Sequence, residues 1–316
     1  MSELICRICS SHKVADSFVA REMLEGSREQ FEYFVCGNCF TVQICSTDLD
    51  MTKYYNKNYY SLSTSSSNSD KLLVRIRNQH VFKTNNSIFG SLLQHLYPIY
   101  KEHEIIGSLI KADSRILDIG CGNGEFLKLI HSLGFQYLTG IEPYLANCMQ
   151  LDSHFQIINA NLGTLDATFD IIRLHHVFEH VADPNGILTQ VYNLLEDDGL
   201  VVLTIPIADY IFSVYRESAY LIQAPHHFHL FTLSGIIGLA EKQGFFIKNI
   251  LRNPLGISNW LYISELWKRN ITQQEANQSA KSIFSKKEML QFKQQEAELT
   301  KMSKGDNVTL ILSKQQ

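Results

Sequence analysis

Chemistry-bearing residues concentrate in three places in the sequence. Four cysteines form two Cys-x-x-Cys pairs, Cys6/Cys9 and Cys36/Cys39. Three glycines at alternate positions, Gly120, Gly122 and Gly124, enclose Cys121 and are flanked by Asp118 and Glu125. Histidines and carboxylates crowd His175-His176-Val-Phe-Glu179-His180, and histidines recur at His226-His227-Phe-His229. Four thiolates at the cysteine spacing close around one zinc ion, a structural site with no open position for chemistry; a redox pair is the alternative. With helical spacing, His176, Glu179 and His180 share one face, where they could ligate a divalent metal or supply a general base. Glycines in a tight turn allow positive φ and let a ligand lie against bare backbone.

The elements that must position these residues follow from pattern. The apolar run Arg115-Ile-Leu-Asp118-Ile reads as a strand, the glycines as a turn, and Glu125-Phe-Leu as the start of a helix whose free N–H groups face the turn. A dinucleotide fingerprint needs a third glycine where this chain has Glu125, and a pyrophosphate there would meet two carboxylates. A ligand carrying an ammonium and a sulfonium suits that charge better. Downstream, Tyr137-Leu-Thr-Gly-Ile-Glu142 reads as a second strand ending in a carboxylate placed to accept from two ribose hydroxyls. The combination indicates S-adenosylmethionine. Strand and helix patterns then alternate, which predicts an α/β, doubly wound, mostly parallel seven-stranded sheet, with strands near 115–119, 137–142, 156–159, 169–174, 199–205, 245–251 and 307–313. Ligands of such sheets bind outside the carboxyl ends of the strands, so Asp118, Glu142, Asn161-Leu162 and His175-His176 are expected to converge.

From about residue 100 onward the chain resembles class I S-adenosylmethionine-dependent methyltransferases, which have a Rossmann-like fold. The matching pieces are Leu117-Asp-Ile-Gly-Cys-Gly-Asn-Gly124, Glu142, Phe169-Asp-Ile-Ile172, Glu179-His180, Asp183-Pro184, Leu195-Glu-Asp-Asp-Gly-Leu200 and His229-Leu-Phe-Thr232 followed by Gly244-Phe245. The resemblance implies a cofactor site of Asp118, Gly120, Cys121, Gly122, Gly124, Glu142, Asn161, Leu162 and His175, with Asn161 and Leu162 flanking the adenine. The Glu179-His180 pair is similar to one in quinone-biosynthesis O-methyltransferases, with His176 where those carry an acidic residue. A zinc ribbon ahead of this domain resembles bacterial methyltransferases of surface-polysaccharide and deoxysugar biosynthesis. Sugar C-methyltransferases of that group carry Tyr-His-Glu-His where this chain has Pro225-His-His-Phe-His229. Oxygen is therefore the expected methyl acceptor, on a sugar or nucleotide sugar. An O-methyltransferase must remove a hydroxyl proton, and a neutral imidazole suits that task. His227 and His229, at the expected mouth of the site, and His176 are the candidate bases.

The expected domains are a zinc ribbon at 1–47, a linker with N-terminal helices at 48–112, and a methyltransferase domain at 113–316 with a helical insertion near 253–304. Within the second of these, Tyr54, Tyr55, Tyr59 and Tyr60 precede a Ser-rich linker at 61–70. Phe31-Glu-Tyr-Phe-Val35, leading into Cys36, supplies a ribbon strand. A net charge of −4 gives no basic surface for phosphate, which argues against nucleic acid as substrate. No apolar run approaches a membrane span and no basic-then-apolar leader opens the chain, so a cytoplasmic protein is expected. Two other functions stay open: an RNA or protein methyltransferase that docks through the ribbon, and a cofactor-binding scaffold without catalysis. The sequence leaves the oligomeric state undetermined.

Overall fold

A computed structural model describes residues 4–54, 72–83, 87–145, 148–252, 256–279, 282–302 and 304–315. The expectations for Tyr55, Tyr59, Tyr60 and the Ser-rich run lie outside the described residues. The chain divides into two compact units: residues 1–51, 176–188 and 205–309 form the first, and 52–175, 189–204 and 310–316 the second.

In the second unit, α1 (Leu72–Lys83), α2 (Ile88–Leu96) and α3 (Lys101–Leu109) precede the sheet, with Pro98 between α2 and α3. The central strands are β4 (Ile116–Ile119), β5 (Leu138–Ile141), β7 (Phe155–Ile158), β8 (Phe169–His175) and β9 (Leu195–Pro206). α4 (Glu125–Ser132) follows β4, and α5 (Pro184–Leu194) lies between β8 and β9 in sequence. Pairing is parallel for β4 with β5, β4 with β8, β5 with β7 and β8 with β9. Ile116, Leu117, Leu138, Phe155, Ile172 and Leu174 are fully buried, because strands covered on both faces read as continuous apolar runs. The full strand order is β11-β12-β9-β8-β4-β5-β7-β6, where β6 is Met149–Gln150, β11 Phe245–Arg252 and β12 Asn307–Lys314. Among the described residues the sheet therefore has eight strands, one more than the seven expected. The additional one, β6, is a two-residue antiparallel partner of β7, too short to show a period in sequence.

The first unit contains the cysteine-bearing sheet. β1 (Val14–Arg21) and β2 (Gln30–Cys36) form an antiparallel hairpin, β3 (Val42–Ile44) pairs with β2, and β10 (His229–Leu230) pairs with β3. The expected strand at 31–35 is present. This cysteine-bearing sheet is not built from the N-terminal residues alone, since its fourth strand comes from the histidine segment far downstream. α6 (Tyr210–Tyr215), α7 (Leu233–Lys242), α8 (Ile257–Lys268), α9 (Gln273–Gln278) and α10 (Lys286–Lys301) also belong to this unit, the last three falling within residues 253–304. Thr232 caps α7 by accepting from the Gly235 N–H at 3.0 Å, as its position before the apolar run implies. Among the described residues, no helix is long and apolar enough to cross a membrane.

Candidate active site

The second unit places the glycine turn between β4 and α4. Gly120, Gly122 and Gly124 all have positive φ (67°, 55° and 77°), conformations that disfavour side chains. A Cβ on Gly124 would lie 2.0 Å from Ile157 Cδ1, so close packing fixes this glycine as well. Glu142, just beyond β5, accepts from the Gly122 N–H (3.0 Å) and the Tyr144 N–H (3.1 Å). Its carboxylate thereby clamps the turn and keeps acceptor capacity for two further donors. Cys121 packs against Gly140, where a Cβ would meet its Sγ at 2.6 Å. Burial and the neighbouring Asp118 and Glu142 push its thiol up, so it is a packing residue and not a nucleophile.

Asp118 is buried, accepts from Arg173 Nη1 at 2.9 Å, and leaves Oδ2 without a partner among the described residues. Burial pushes its carboxyl up to about 6, with Arg173 opposing and Glu102 and Glu142 reinforcing the rise. Leu162 is buried and Asn161 exposed at the start of a short 3₁₀ turn after β7. His175 ends β8, its Nδ1 against a Glu102 oxygen and its ring edge-on to Tyr100. The nine expected cofactor residues therefore follow the carboxyl ends of β4, β5, β7 and β8, or sit within them. An orphaned buried carboxylate oxygen suits an ammonium, a carboxylate with spare lone pairs suits a ribose diol, and the bare turn suits a ligand without phosphate. These residues fit S-adenosylmethionine.

The first unit gathers the cysteines. Cys6 Sγ lies 3.6 Å from Cys39 Sγ, Cys9 Sγ 3.6 Å from Cys36 Sγ, and all four sulfurs are within 4.8 Å of one another. Sulfurs around a tetrahedral zinc, each at about 2.3 Å, stand about 3.8 Å apart, whereas a disulfide needs about 2.05 Å. The four thiols thus fit a zinc ion and not two disulfides. Gln43 Nε2 donates to Cys6 Sγ at 2.9 Å, a contact that suits a thiolate ligand.

The histidines behave differently from expectation. His226, His227 and His229 are not at a mouth but buried, at 0%, 4% and 0% exposure. Pairing of β10 with β3 draws the segment into the ribbon sheet. His229 Nε2 accepts from Arg7 Nε at 3.0 Å, so its lone pair is already used. His227 donates Nδ1–H to the Leu221 carbonyl at 2.7 Å, its own carbonyl accepts from the Tyr33 hydroxyl at 3.0 Å, and burial pushes its imidazole down to about 3. Both have the environment of bracing residues. His176 differs: it is partly exposed, has φ of 52°, and shares a 3.2 Å hydrogen bond through Nδ1 with Glu179 Oε1. Glu179 is fully buried, and burial opposes its ionisation, but His176, His180 and His227 outweigh burial and hold it below the usual carboxylate range. Asn307 Nδ2 approaches His176 Nε2 at 3.4 Å. The middle of this segment is a 3₁₀ turn, Phe178–His180, not an α-helix. Ligand atoms of Glu179, His180 and His227 lie within 4.8 Å of one another, so His227 takes the third place that spacing alone gave to His176.

Sequence reasoning passed over Glu102, Arg173, Arg7, Gln43 and Asn307. Arg173 alone carried a signal, as a charge inside an otherwise apolar strand.

Residues 95–248 match the family profile described as a methyltransferase domain, which bears out the methyltransferase expectation at the level of that domain. A ubiquinone biosynthesis O-methyltransferase from Maricaulis maris is 28% identical over 161 residues, 46% of this chain and 62% of the relative. A tRNA U34 carboxymethyltransferase from Trichlorobacter lovleyi is 30% identical over 115 residues, 31% of this chain and 32% of the relative. The chain thus spans less than two thirds of the length of either relative. Among solved structures, mycolic acid cyclopropane synthase CmaA1 complexed with S-adenosylhomocysteine matches with a TM-score of 0.47 and 16% identity, covering 74% of this chain and 88% of that one. The [4+2]-cyclase SpnF matches with a TM-score of 0.45 and 12% identity, over 73% and 83%.

Proposed function

We propose that the protein is an S-adenosylmethionine-dependent methyltransferase acting on a hydroxyl of a small acceptor. The observation that carries this reading is the glycine turn, three positive-φ glycines clamped by Glu142 beside the half-satisfied carboxylate of Asp118. Bound there, the cofactor supplies a methyl group on a sulfonium. The remaining tasks fall to this chain. Asp118 takes the ammonium, Glu142 the ribose hydroxyls, and Leu162 offers the adenine an apolar surface.

His176 follows β8 by one residue, so chain continuity keeps its Cα about 3.8 Å from that of His175. With Nδ1–H donated to Glu179, the lone pair lies on Nε2, where Asn307 Nδ2 approaches at a long 3.4 Å that an acceptor hydroxyl would displace; the carboxylate fixes that tautomer and stabilises the imidazolium formed when the proton is taken. His176, in preference to His227 or His229, is therefore the group that takes the acceptor's proton. The names of several relatives favour an oxygen acceptor. The ribbon resemblance favours a sugar or nucleotide sugar, and both acceptor types belong in one screen. The four cysteines would hold structural zinc.

The test is release of S-adenosylhomocysteine with nucleotide sugars and with hydroxylated aromatic acceptors, in wild type and His176→Asn. Turnover with one acceptor class, lost in His176→Asn while S-adenosylhomocysteine still binds, is the expected result. Turnover undiminished in that variant removes His176 from the mechanism, and wild-type protein that never binds S-adenosylhomocysteine ends the methyltransferase reading.

A further inference from the structure

We propose that Arg173 and Glu102 are a positioning pair of the cofactor pocket: Arg173 holds Asp118 ionised and aimed, and Glu102 makes α3 an integral part of that pocket. The inference rests on the methyltransferase reading and extends it to two residues outside the glycine turn.

The geometry begins with register. β4 and β8 pair in parallel with Asp118 opposite Arg173, so the two side chains leave the sheet as neighbours. Arg173 gives Nη1–H to Asp118 Oδ1 at 2.9 Å and, from its other side, Nε–H to Glu102 Oε1 at 2.7 Å and Nη2–H to Glu102 Oε2 at 3.4 Å. Its guanidinium lies 4.3 Å from the ring centre of Phe126, the second residue of α4 after the glycine turn. Asp118, Glu102 and Arg173 are 1%, 2% and 7% exposed. A guanidinium held on two sides and one face cannot swing away.

The acceptor capacity is not exhausted. Glu102 is engaged by both Arg173 and His175, whereas Asp118 has Arg173 on Oδ1 and its Oδ2 is buried without a partner among the described residues. Cys121 beside it stays a thiol, burial pushes His103 on α3 down to about 3, and Glu142 acts on Asp118 as a further negative charge. The open Oδ2 is the acceptor that an amino-acid ammonium would complete. Burial already raises Asp118 to about 6 with Arg173 beside it. Without that guanidinium, the carboxyl would be protonated near neutral pH and would lose its hold on a cation.

Calorimetric titration of the full chain with S-adenosylhomocysteine, from about pH 5.5 to pH 8.5, separates positioning from mere bracing. Wild-type affinity is expected to be flat above about pH 7 and to fall about tenfold per unit well below the Asp118 midpoint. Arg173→Met should weaken binding at least about tenfold at neutral pH, with the midpoint moved up by a unit or more and affinity recovering toward alkaline pH. Arg173→Lys should restore most of that midpoint, and Glu102→Gln, which removes a like charge, should move it down. If Arg173→Met does not fold, the Lys and Gln variants decide. Wild-type binding with an unmoved midpoint in every folded variant overturns this inference alone. Failure of wild type to bind at any pH overturns the methyltransferase reading as well.

Discussion

The glycine turn after β4 and the histidine segments around His176 and His227 are equally rich in reactive groups, yet they are built in opposite ways. In the turn, backbone geometry does the work: three glycines in left-handed conformations and two carboxylates, Asp118 and Glu142, keep acceptor capacity in reserve. In the histidine segments, most of that capacity is spent inward. His229 accepts from Arg7, His227 donates to Leu221, and His180 donates Nδ1–H to the His226 carbonyl. The difference teaches that density of imidazoles is a poor guide to catalysis. What matters is how firmly each nitrogen is already engaged: His176 is partly exposed, carries the Glu179 carboxylate on Nδ1, and meets Asn307 at Nε2 across a long 3.4 Å.

The sharpest break would come at the cysteines, because the histidine segment is anchored to their sheet. Purified protein should carry about one zinc per chain by metal analysis. Cys36→Ser or strong chelation should remove it and unfold the first unit, with a loss on the order of the roughly 10 kcal/mol that structural zinc contributes in small metal-dependent domains. Next in size is the contrast among histidines. His176→Asn should lower kcat by about 100-fold to 10,000-fold with KM for the cofactor nearly unchanged. His229→Ala should instead lower the melting temperature, by roughly 1–3 kcal/mol of stability, and leave kcat of the folded fraction alone.

Acid sharpens the comparison further. The folded-state value of His227, about 3, lies below the ordinary value of 6.5, so the unfolded chain binds more protons as pH falls. Stability linked to His227 is thus present above about pH 6.5 and lost on acidification, by about 2 kcal/mol at pH 5. Denaturant titrations of His227→Phe should show a shallower slope across that window. Asp118 has the opposite sign: its value is raised to about 6 from 3.8, so its contribution to stability is fullest in acid and is lost as pH rises through that range. In the turn, Asp118→Ala should weaken S-adenosylhomocysteine binding by about tenfold to 100-fold, the worth of one charge-assisted hydrogen bond. Calorimetry at neutral pH measures it.

The turn was legible in the sequence because its information is local. Glycine spacing, the flanking carboxylates and the strand before them lie within a dozen residues, and the structure brings Gly120, Gly122, Gly124, Asp118 and Glu142 together as that spacing implies. The cysteine cluster was legible for the same reason, as two short pairs with a strand leading into the second. The histidines were not, because their burial depends on β3 accepting β10, a pairing that no period or spacing announces. Glu102 was equally hidden: α3 reads as a mildly amphipathic helix, and only the Asp118–Arg173 register reveals why one of its carboxylates turns inward.

The β3–β10 pairing also bears on the order in which the molecule can be made. Arg7 and His229 are 222 positions apart, so the ribbon emerges first during synthesis and still waits for a late strand. Until that strand arrives, β3 has an open edge with unsatisfied N–H and C=O groups, the kind of edge that recruits other chains. Early zinc loading would hold the nascent hairpin in shape meanwhile, so the metal acts as a placeholder as well as a staple. A chain trimmed to remove the cysteine pairs would therefore leave the histidine segment without its seat.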